Sequence, residues 1–266
     1  MQTNPYKTAE QRSISTDSFN NSTKLSSTFA SVSFAVEFTI MAKDMTLLWG
    51  SGSPPCWRVM IALEENKLQG YNQKLLSFEK GEHKSKEVLD INPRAQLPAF
   101  KHGDNILNES YAACMYLESQ FRSQGAQLIP GGQAEQALMY QRMFEALSLI
   151  DKLSNVIYYN YRVPEGERHD SAIKRNKENL TTEIKLWEGY FQKMEAGSYL
   201  AGKAFSLADV IVFPVIAYAF RFGLSAERYP KLGAYYAMLK DRPSVKATWP
   251  PHWLENPQVG DALREF

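Results

Sequence analysis

The chain has 266 residues, of which 44% are hydrophobic and 22% charged, so it can bury a substantial core as one large or two modest domains. Thirty basic and 29 acidic residues give a net charge of +1, which argues against nucleic acid or an anionic membrane as partner. The four histidines are scattered without zinc-type spacing, so no metal site is predicted. Two cysteines, Cys56 and Cys114, form no disulfide framework, which favours a reducing, cytoplasmic location.

Residues 1–44 differ in composition from the rest of the chain. They are rich in Ser, Thr and Asn and show no helical or strand period, so they are predicted to be a disordered N-terminal extension. A mitochondrial transit segment is the less favoured alternative, because Arg12 is its only arginine and a basic amphipathic face is missing. A true start at Met41 or Met45 is a further alternative.

Residues 45–125 show the alternating pattern of a small α/β domain. The run MTLLWG predicts a buried strand, and CWRVMIALEENKL predicts a helix after the Gly-Ser-Gly-Ser turn. The segments that follow predict, in order, a strand (NQKLLSF), a short helix (KSKEVLDIN), a hairpin (LPAFKHGDNILN) and a helix (SYAACMYLESQF). The resulting order is βαβαββα.

Residues 133–266 predict an all-α domain, joined to the first by a linker over residues 126–132, AQLIPGG. No convincing strand pattern follows the linker. The helical segments are AEQALMYQRMFEALSLIDKLSNVIYYNY, SAIKRNKENLTTEIKLWEGYFQKM, SLADVIVFPVIAYAFRF and RYPKLGAYYAMLKDR. In the third segment, Ser206 and Asp209 have the spacing of a capping box.

The strand-to-helix turn Ser53-Pro54-Pro55-Cys56 stands where redox proteins with a thioredoxin-like fold carry Cys-x-x-Cys. In those proteins the first cysteine attacks as a thiolate, stabilised by the helix N-terminus. Here that atom is an oxygen, which can donate a hydrogen bond to the thiolate of a bound substrate. Cys56 is the alternative reactive group, although packing as a small buried side chain is its commoner role.

Two later segments fit a peptide-like ligand. Pro98 enters a strand, which predicts a cis bond and leaves the backbone of Leu97 free to pair with an extended peptide. Glu109 and Ser110 open a helix, whose N–H groups and Ser110 hydroxyl suit a carboxylate, while Glu109 suits an ammonium group. Glutathione combines these features, since its γ-glutamyl head is an amino-acid end group and its thiol lies in the middle of a short peptide.

Four motifs together resemble the cytosolic glutathione S-transferases: SGSPPCWRVMIALEE, FEKGEHKSKEVLDINPRAQLPAF, NESYAACMYLE and FSLADVIVFP. The resemblance runs from about Met45 to the end and is greatest to the serine-type branch (theta, delta, zeta), above all the rho class of fishes and marine invertebrates. It implies a thioredoxin-like glutathione-binding domain, a helical domain and a hydrophobic electrophile site between them. It also implies a homodimeric detoxification enzyme with glutathione as co-substrate and no further cofactor.

The resemblance also implies which residues form the site. Ser53 matches the catalytic, thiolate-stabilising serine, and His83 matches a histidine that contacts the glycyl end of glutathione in delta-like members. The full implied glutathione site is Ser53, His83, Gln96, Leu97, Pro98, Glu109 and Ser110.

The sequence departs from the delta-like pattern at three positions. Ala95 replaces a histidine ahead of the cis-proline, Tyr111 replaces an arginine after the Glu-Ser pair, and Trp57 is inserted after Cys56. These departures leave the ligands of the glycyl carboxylate open. Ser51 remains an alternative to Ser53.

Two other functions are left as alternatives. One is a glutathione-dependent thiol transferase or peroxidase that uses Cys56. The other is a non-catalytic ligand carrier or scaffold that keeps the fold. The aromatic and Met residues of 139–161 either line the electrophile site or belong to the core, which is their commoner role at helical spacing.

Overall fold

The structure is a computed structural model that describes residues 41–266. The predicted disorder of residues 1–40 lies outside the described residues. Residues 41–44 form one turn of 3-10 helix, with Ala42 buried, so the last four residues of the predicted extension have regular structure.

Residues 45–121 form a four-stranded sheet with three helices in the predicted order βαβαββα. The elements are β1 (Met45–Trp49), α1 (Pro54–Glu65), β2 (Asn72–Leu75), α2 (Lys86–Leu89), β3 (Ala99–His102), β4 (Asn105–Leu107) and α3 (Ser110–Phe121). The strand order is β2-β1-β3-β4, with β2 parallel to β1 and the other two pairs antiparallel. The predicted thioredoxin-like α/β class is confirmed.

Strand direction brings the loops of interest to one edge of this sheet. The last residues of β1 and β2 are paired, Trp49 with Leu75. At the same edge β3 begins, where Ala99 pairs with Leu48, and β4 ends, where Leu107 pairs with Phe100. The segments after β1, β2 and β4, and the segment before β3, therefore all emerge at one edge, which we call the loop edge.

Residues 133–255 contain seven α-helices, as the all-α prediction required. They are α4 (Gln133–Ile157), α5 (Tyr159–Arg162), α6 (Asp170–Gln192), α7 (Leu207–Arg221), α8 (Pro230–Lys240), α9 (Pro243–Ala247) and α10 (Pro251–Glu255). The predicted capping box starts α7, where the Ser206 N–H donates to the Asp209 carboxylate at 2.9 Å. The short helices α9 and α10 were not predicted, because neither completes two turns of periodic pattern.

Helix α1 packs against α3 on one side and against α7 and α9 on another. Trp57 is buried at the second contact, where its Nε1 donates to Thr248 Oγ1 at 2.8 Å. Its ring also meets three further aromatic rings edge-on, those of Phe213, Trp249 and Trp253. The inserted tryptophan therefore joins the first helix of the sheet half to the helical half.

Two buried carboxylates hold further segments in place. Glu65 at the end of α1 accepts both Nε and Nη2 of Arg242, at 2.6 and 2.8 Å. Glu118 on α3 accepts the N–H groups of Leu128 and Ile129, which belong to the predicted linker. Burial raises the pKa of Glu118.

Within residues 41–266, no helix is both long and apolar enough to cross a bilayer, and no group of three metal-ligating side chains occurs.

Candidate active site

Ser53 lies at the loop edge as the residue that precedes α1. Its side chain is half-buried and makes no capping hydrogen bond to the helix, although it stands in the N-cap position. Pro54 follows at the first helical position, which fixes the start of α1. The hydroxyl is therefore held at the positive end of the helix without capping it.

Cys56 is enclosed one turn further along. It is 1% exposed, and the Gly50 N–H points at its sulfur at 3.4 Å. Burial raises the pKa of the Cys56 thiol to about 11, although the contacts with Gly50 and Ser53 and the charge of Arg58 oppose the shift. A protonated, enclosed thiol is a poor nucleophile.

Ser51, the alternative to Ser53, is held by a residue of the C-terminal helix α10. Its Oγ lies 2.6 Å from Nδ1 of His252. Gly52, between the two serines, has a φ of +74° and packs against the same imidazole. The hydroxyl of Ser51 is thus engaged within the protein.

At the N-terminus of α3, Glu109 is exposed and Ser110 is buried. The Ser110 hydroxyl accepts a hydrogen bond from Nη1 of Arg58 at 3.3 Å, and Arg58 Nε donates to the carbonyl of Ile211 at 3.0 Å. Arg58 is 3% exposed, its Nη2 has no hydrogen-bond partner among the described residues, and its guanidinium lies 4.9 Å from the ring centre of Tyr111. Burial lowers the pKa of Arg58. The N-terminus of α3 is therefore backed by a buried positive charge.

The peptide bond between Leu97 and Pro98 is cis, as predicted, and lies directly before β3. The backbone N–H and C=O of Leu97 form no hydrogen bond with any residue in 41–266. The buried side chain of Asn92 donates to the carbonyl of Gln96 at 2.8 Å and accepts the N–H of Arg94 at 3.1 Å. Asn92 thus shapes the segment while leaving Leu97 available.

His83 lies in the loop after β2, in a short 3-10 helix (Glu82–Lys84). Its Nδ1 is buried and has no partner among the described residues. Its ring contacts Phe78, with 5.4 Å between ring centres, and Phe78 in turn covers Gly50 so closely that a Cβ there would clash. Phe78 therefore connects His83 to the turn that carries Ser53.

Comparison with known proteins decides the family. The family described as "Glutathione S-transferase, N-terminal domain" matches residues 43–119, and "Glutathione S-transferase, C-terminal domain" matches residues 149–249. Glutathione S-transferase A of Pleuronectes platessa is 72% identical over 225 residues, which cover 85% of this chain and all of that protein. The chain belongs to the glutathione S-transferase family.

Solved structures agree with this assignment. A glutathione S-transferase of the Antarctic clam Laternula elliptica is 39% identical, with a TM-score of 0.71, and the match covers 80% of this chain and 95% of that one. A glutathione transferase of Phanerochaete chrysosporium in complex with oxidised glutathione is 27% identical, with a TM-score of 0.66, over 78% of this chain and 95% of that one. The chain is therefore a glutathione transferase enzyme, and the scaffold alternative is set aside.

In this transferase, the loop edge gathers every residue predicted for the site. Ser53 follows β1, His83 follows β2, Gln96, Leu97 and Pro98 precede β3, and Glu109 and Ser110 follow β4. Other residues named from the sequence lie elsewhere. Met139 and Met143 are fully buried core residues rather than parts of a pocket wall. Separately, a surface groove of about 550 Å³ along α6 contains none of the predicted site residues.

Three residues that contact the predicted site residues or their neighbours were not predicted from the sequence: Arg58, Asn92 and His252. Arg58 carried a signal, because a lone arginine inside the apolar run CWRVMIAL is buried only when something in the fold requires its charge. Asn92 carried a weaker signal, as a polar residue between a short helix and a proline. His252 gave none, because its contact with Ser51 spans 201 residues of sequence.

Proposed function

We propose that the hydroxyl of Ser53 donates a hydrogen bond to the thiolate of bound glutathione, which makes this enzyme a serine-type transferase. The observation that carries the proposal is the position of Ser53, half-buried at the N-terminus of α1 with its hydroxyl not used as a cap. A glutathione thiol has an ordinary pKa near ~8.5. Lowering it by about two units requires roughly 2.7 kcal/mol of preferential stabilisation of the thiolate, which a hydroxyl donor and a helix N-terminus together can supply.

Glutathione is proposed to bind in an extended conformation along the loop edge. The free backbone groups of Leu97, next to Pro98, pair with the cysteinyl residue in the manner of an added strand. Glu109 receives the γ-glutamyl ammonium group, and Ser110 with the N–H groups of α3 receives its carboxylate.

The glycyl end of glutathione is proposed to extend toward His83 and Gln96. His83 offers a buried Nδ1 with no partner among the described residues, and Gln96 is exposed beside Leu97. Ala95, with a φ of +52°, completes this part of the loop without a charged side chain.

The electrophile is proposed to be a small hydrophobic compound that reaches the sulfur from the side of the helical domain. Trp253 and His252 on α10 stand beside Gly52, so this side of the turn is bordered by aromatic rings. In the reaction the thiolate sulfur forms a bond to the electrophilic carbon, and the leaving group departs with the electron pair or the product carbanion takes up a proton.

The experiment that tests the proposal compares Ser53→Ala, Ser51→Ala and Cys56→Ala in conjugation at saturating glutathione. Ser53→Ala is expected to lose most of its turnover, whereas Cys56→Ala keeps it. A collapse of activity only in Ser51→Ala would move the role to Ser51. A collapse only in Cys56→Ala would favour the thiol transferase mechanism.

We also propose that the enzyme is a homodimer, as the family resemblance implies. The structure offers a suitable apolar face where the Tyr111 ring on α3 stacks on Phe144 of α4, with Met115 and Leu147 one turn further along the two helices. Phe144 is 57% exposed, which is unusual for a phenylalanine unless another surface covers it.

Light scattering should give about 60 kDa, twice the 30.3 kDa of one chain. Phe144→Glu should shift the mass toward one chain, while Tyr161→Glu, a control at an aromatic residue that is 89% exposed on α5, should not. A wild-type monomer with full activity would contradict the proposal.

We propose, from the sequence pattern and the family resemblance, that the chain divides into three parts. These are a glutathione-binding domain (45–125), a linker (126–132) and a helical domain (133–266). A cytoplasmic location is proposed from the two cysteines, both of which are free and buried.

A further inference from the structure

Helix α10 touches the turn that carries Ser53. Nδ1 of His252 lies 2.6 Å from Ser51 Oγ. The adjacent ring atom, Cε1, lies against Gly52, where an added Cβ would come within 2.5 Å of it. One imidazole thus contacts two of the three residues that precede Pro54.

The imidazole is itself held in place from the helical half. The neighbouring Trp253 is buried, and its ring meets Trp57 edge-on at 5.6 Å between centres. Arg221 on α7 donates through Nη2 to the carbonyl of Asn256 at 2.5 Å, directly after α10. The helix that presents His252 is therefore anchored at its middle residue and directly after its last residue.

The electrostatic surroundings favour a neutral ring. Burial, followed by the charge of Arg221, lowers the pKa of His252, while Glu255 on α10 and Glu79 in the loop after β2 act in the opposite direction. Ser51 is its hydrogen-bonding partner, and Gly52 packs on the ring without a side chain. A neutral ring adds no charge beside the reacting sulfur, so its contribution is to geometry.

We propose that His252 is a positioning residue for the conjugation reaction. Its hydrogen bond to Ser51 and its packing on Gly52 fix the turn, so that the Ser53 hydroxyl points at the sulfur of bound glutathione. This inference rests on the proposed role of Ser53 and extends it to the C-terminal helix. The contacts that bind glutathione at Leu97 and at Glu109 and Ser110 do not pass through His252.

The test is a double-mutant cycle with Ser51→Ala and His252→Phe, because phenylalanine keeps the ring and removes the hydrogen bond. Each single variant should lower kcat by about three- to tenfold, with KM for glutathione within about twofold of wild type. The double variant should be no slower than the slower single variant, since both remove the same interaction. Effects that multiply, or a rise in KM with unchanged kcat, would overturn the proposal.

Two further variants separate positioning from packing. His252→Asn retains a polar group near the position of Nδ1 and should recover at least half of the wild-type kcat. Leu254→Ala, a control on the same helix at a residue that is 69% exposed, should leave kcat unchanged. If His252→Phe does not fold, Ser51→Ala alone decides: a loss of at least threefold in kcat at constant KM supports the proposal, and wild-type kcat overturns it.

Failure of this inference can be told apart from failure of the proposed function. Fully active Ser53→Ala contradicts the role of Ser53 itself. An impaired Ser53→Ala, together with independent effects of Ser51→Ala and His252→Phe, contradicts only the positioning role of His252.

Discussion

Two helix N-termini face the loop edge, and they are built differently. At α1 the available group is the half-buried hydroxyl of Ser53, which makes no capping hydrogen bond. At α3 the available group is Ser110, and the buried guanidinium of Arg58 donates to it. The first arrangement suits a group whose charge must form and then be used in a reaction. The second suits a permanent carboxylate that has only to be held.

This contrast predicts that binding and activation of glutathione are separable in this enzyme. Arg58, on the second turn of α1, donates to Ser110 of α3, so the helix that follows the proposed thiolate donor also carries the charge behind the second site. Variants at the first site should change turnover, and variants at the second should change affinity.

The largest expected effect is that of Ser53→Ala. Loss of a charge-assisted donor to the thiolate should lower kcat by about ten- to a thousandfold, or about 1.4 to 4 kcal/mol in activation free energy. KM for glutathione should stay within about twofold. Steady-state kinetics with varied glutathione measures both, and a rise in KM as large as the fall in kcat would break the separation between the two sites.

The next largest effect is expected for Arg58→Met. It removes the charge behind Ser110, so affinity for glutathione should fall by about ten- to a hundredfold while kcat at saturation changes little. Calorimetric titration should show the loss for glutathione but not for an analogue that lacks the γ-glutamyl carboxylate. Arg58→Lys, which keeps the charge but not the planar donor set, is the matched control and should lose less. An equal loss for both ligands would show that Arg58 acts only on stability.

These two sites also mark how far the sequence could predict the structure. The strands, the main helices and the cis-proline followed from short periodic runs and turn residues, because each depends on neighbours within a few positions. The links of Arg58 to Ser110 and of Ser51 to His252 span 52 and 201 residues and are created only by packing. A local sequence pattern cannot predict that the two residues of either contact lie next to each other in the fold.

Cys56 offers a smaller effect that sharpens the assignment at α1. Its pKa is raised from the ordinary 9.0 to about 11, so the folded protein disfavours ionisation of this thiol. Its contribution to stability should be complete below pH 9 and be lost as the pH rises toward 11, because only the unfolded thiol ionises there. Cys56→Ala should therefore flatten the alkaline decline in denaturant stability between pH 9 and 11 and keep near wild-type turnover. Strongly reduced turnover would point to a catalytic thiol.

The smallest effect is expected from removal of residues 1–40. Their composition is unlike that of a segment that builds a core. A chain beginning at Met41 should therefore keep both helix N-termini unchanged. Melting temperature and turnover should match those of the full chain. A fall of several degrees, or loss of most activity, would contradict this expectation.

The most direct test of the central claim is the pH dependence of thiolate formation in the complex with glutathione, followed by ultraviolet difference absorbance. In the wild-type enzyme the bound thiol should ionise well below the ~8.5 of a free thiol, by about two units. In Ser53→Ala the midpoint should return most of the way toward the free value while glutathione remains bound. Identical midpoints in the two proteins, both saturated with glutathione, would contradict the assignment of Ser53 as the group that stabilises the thiolate.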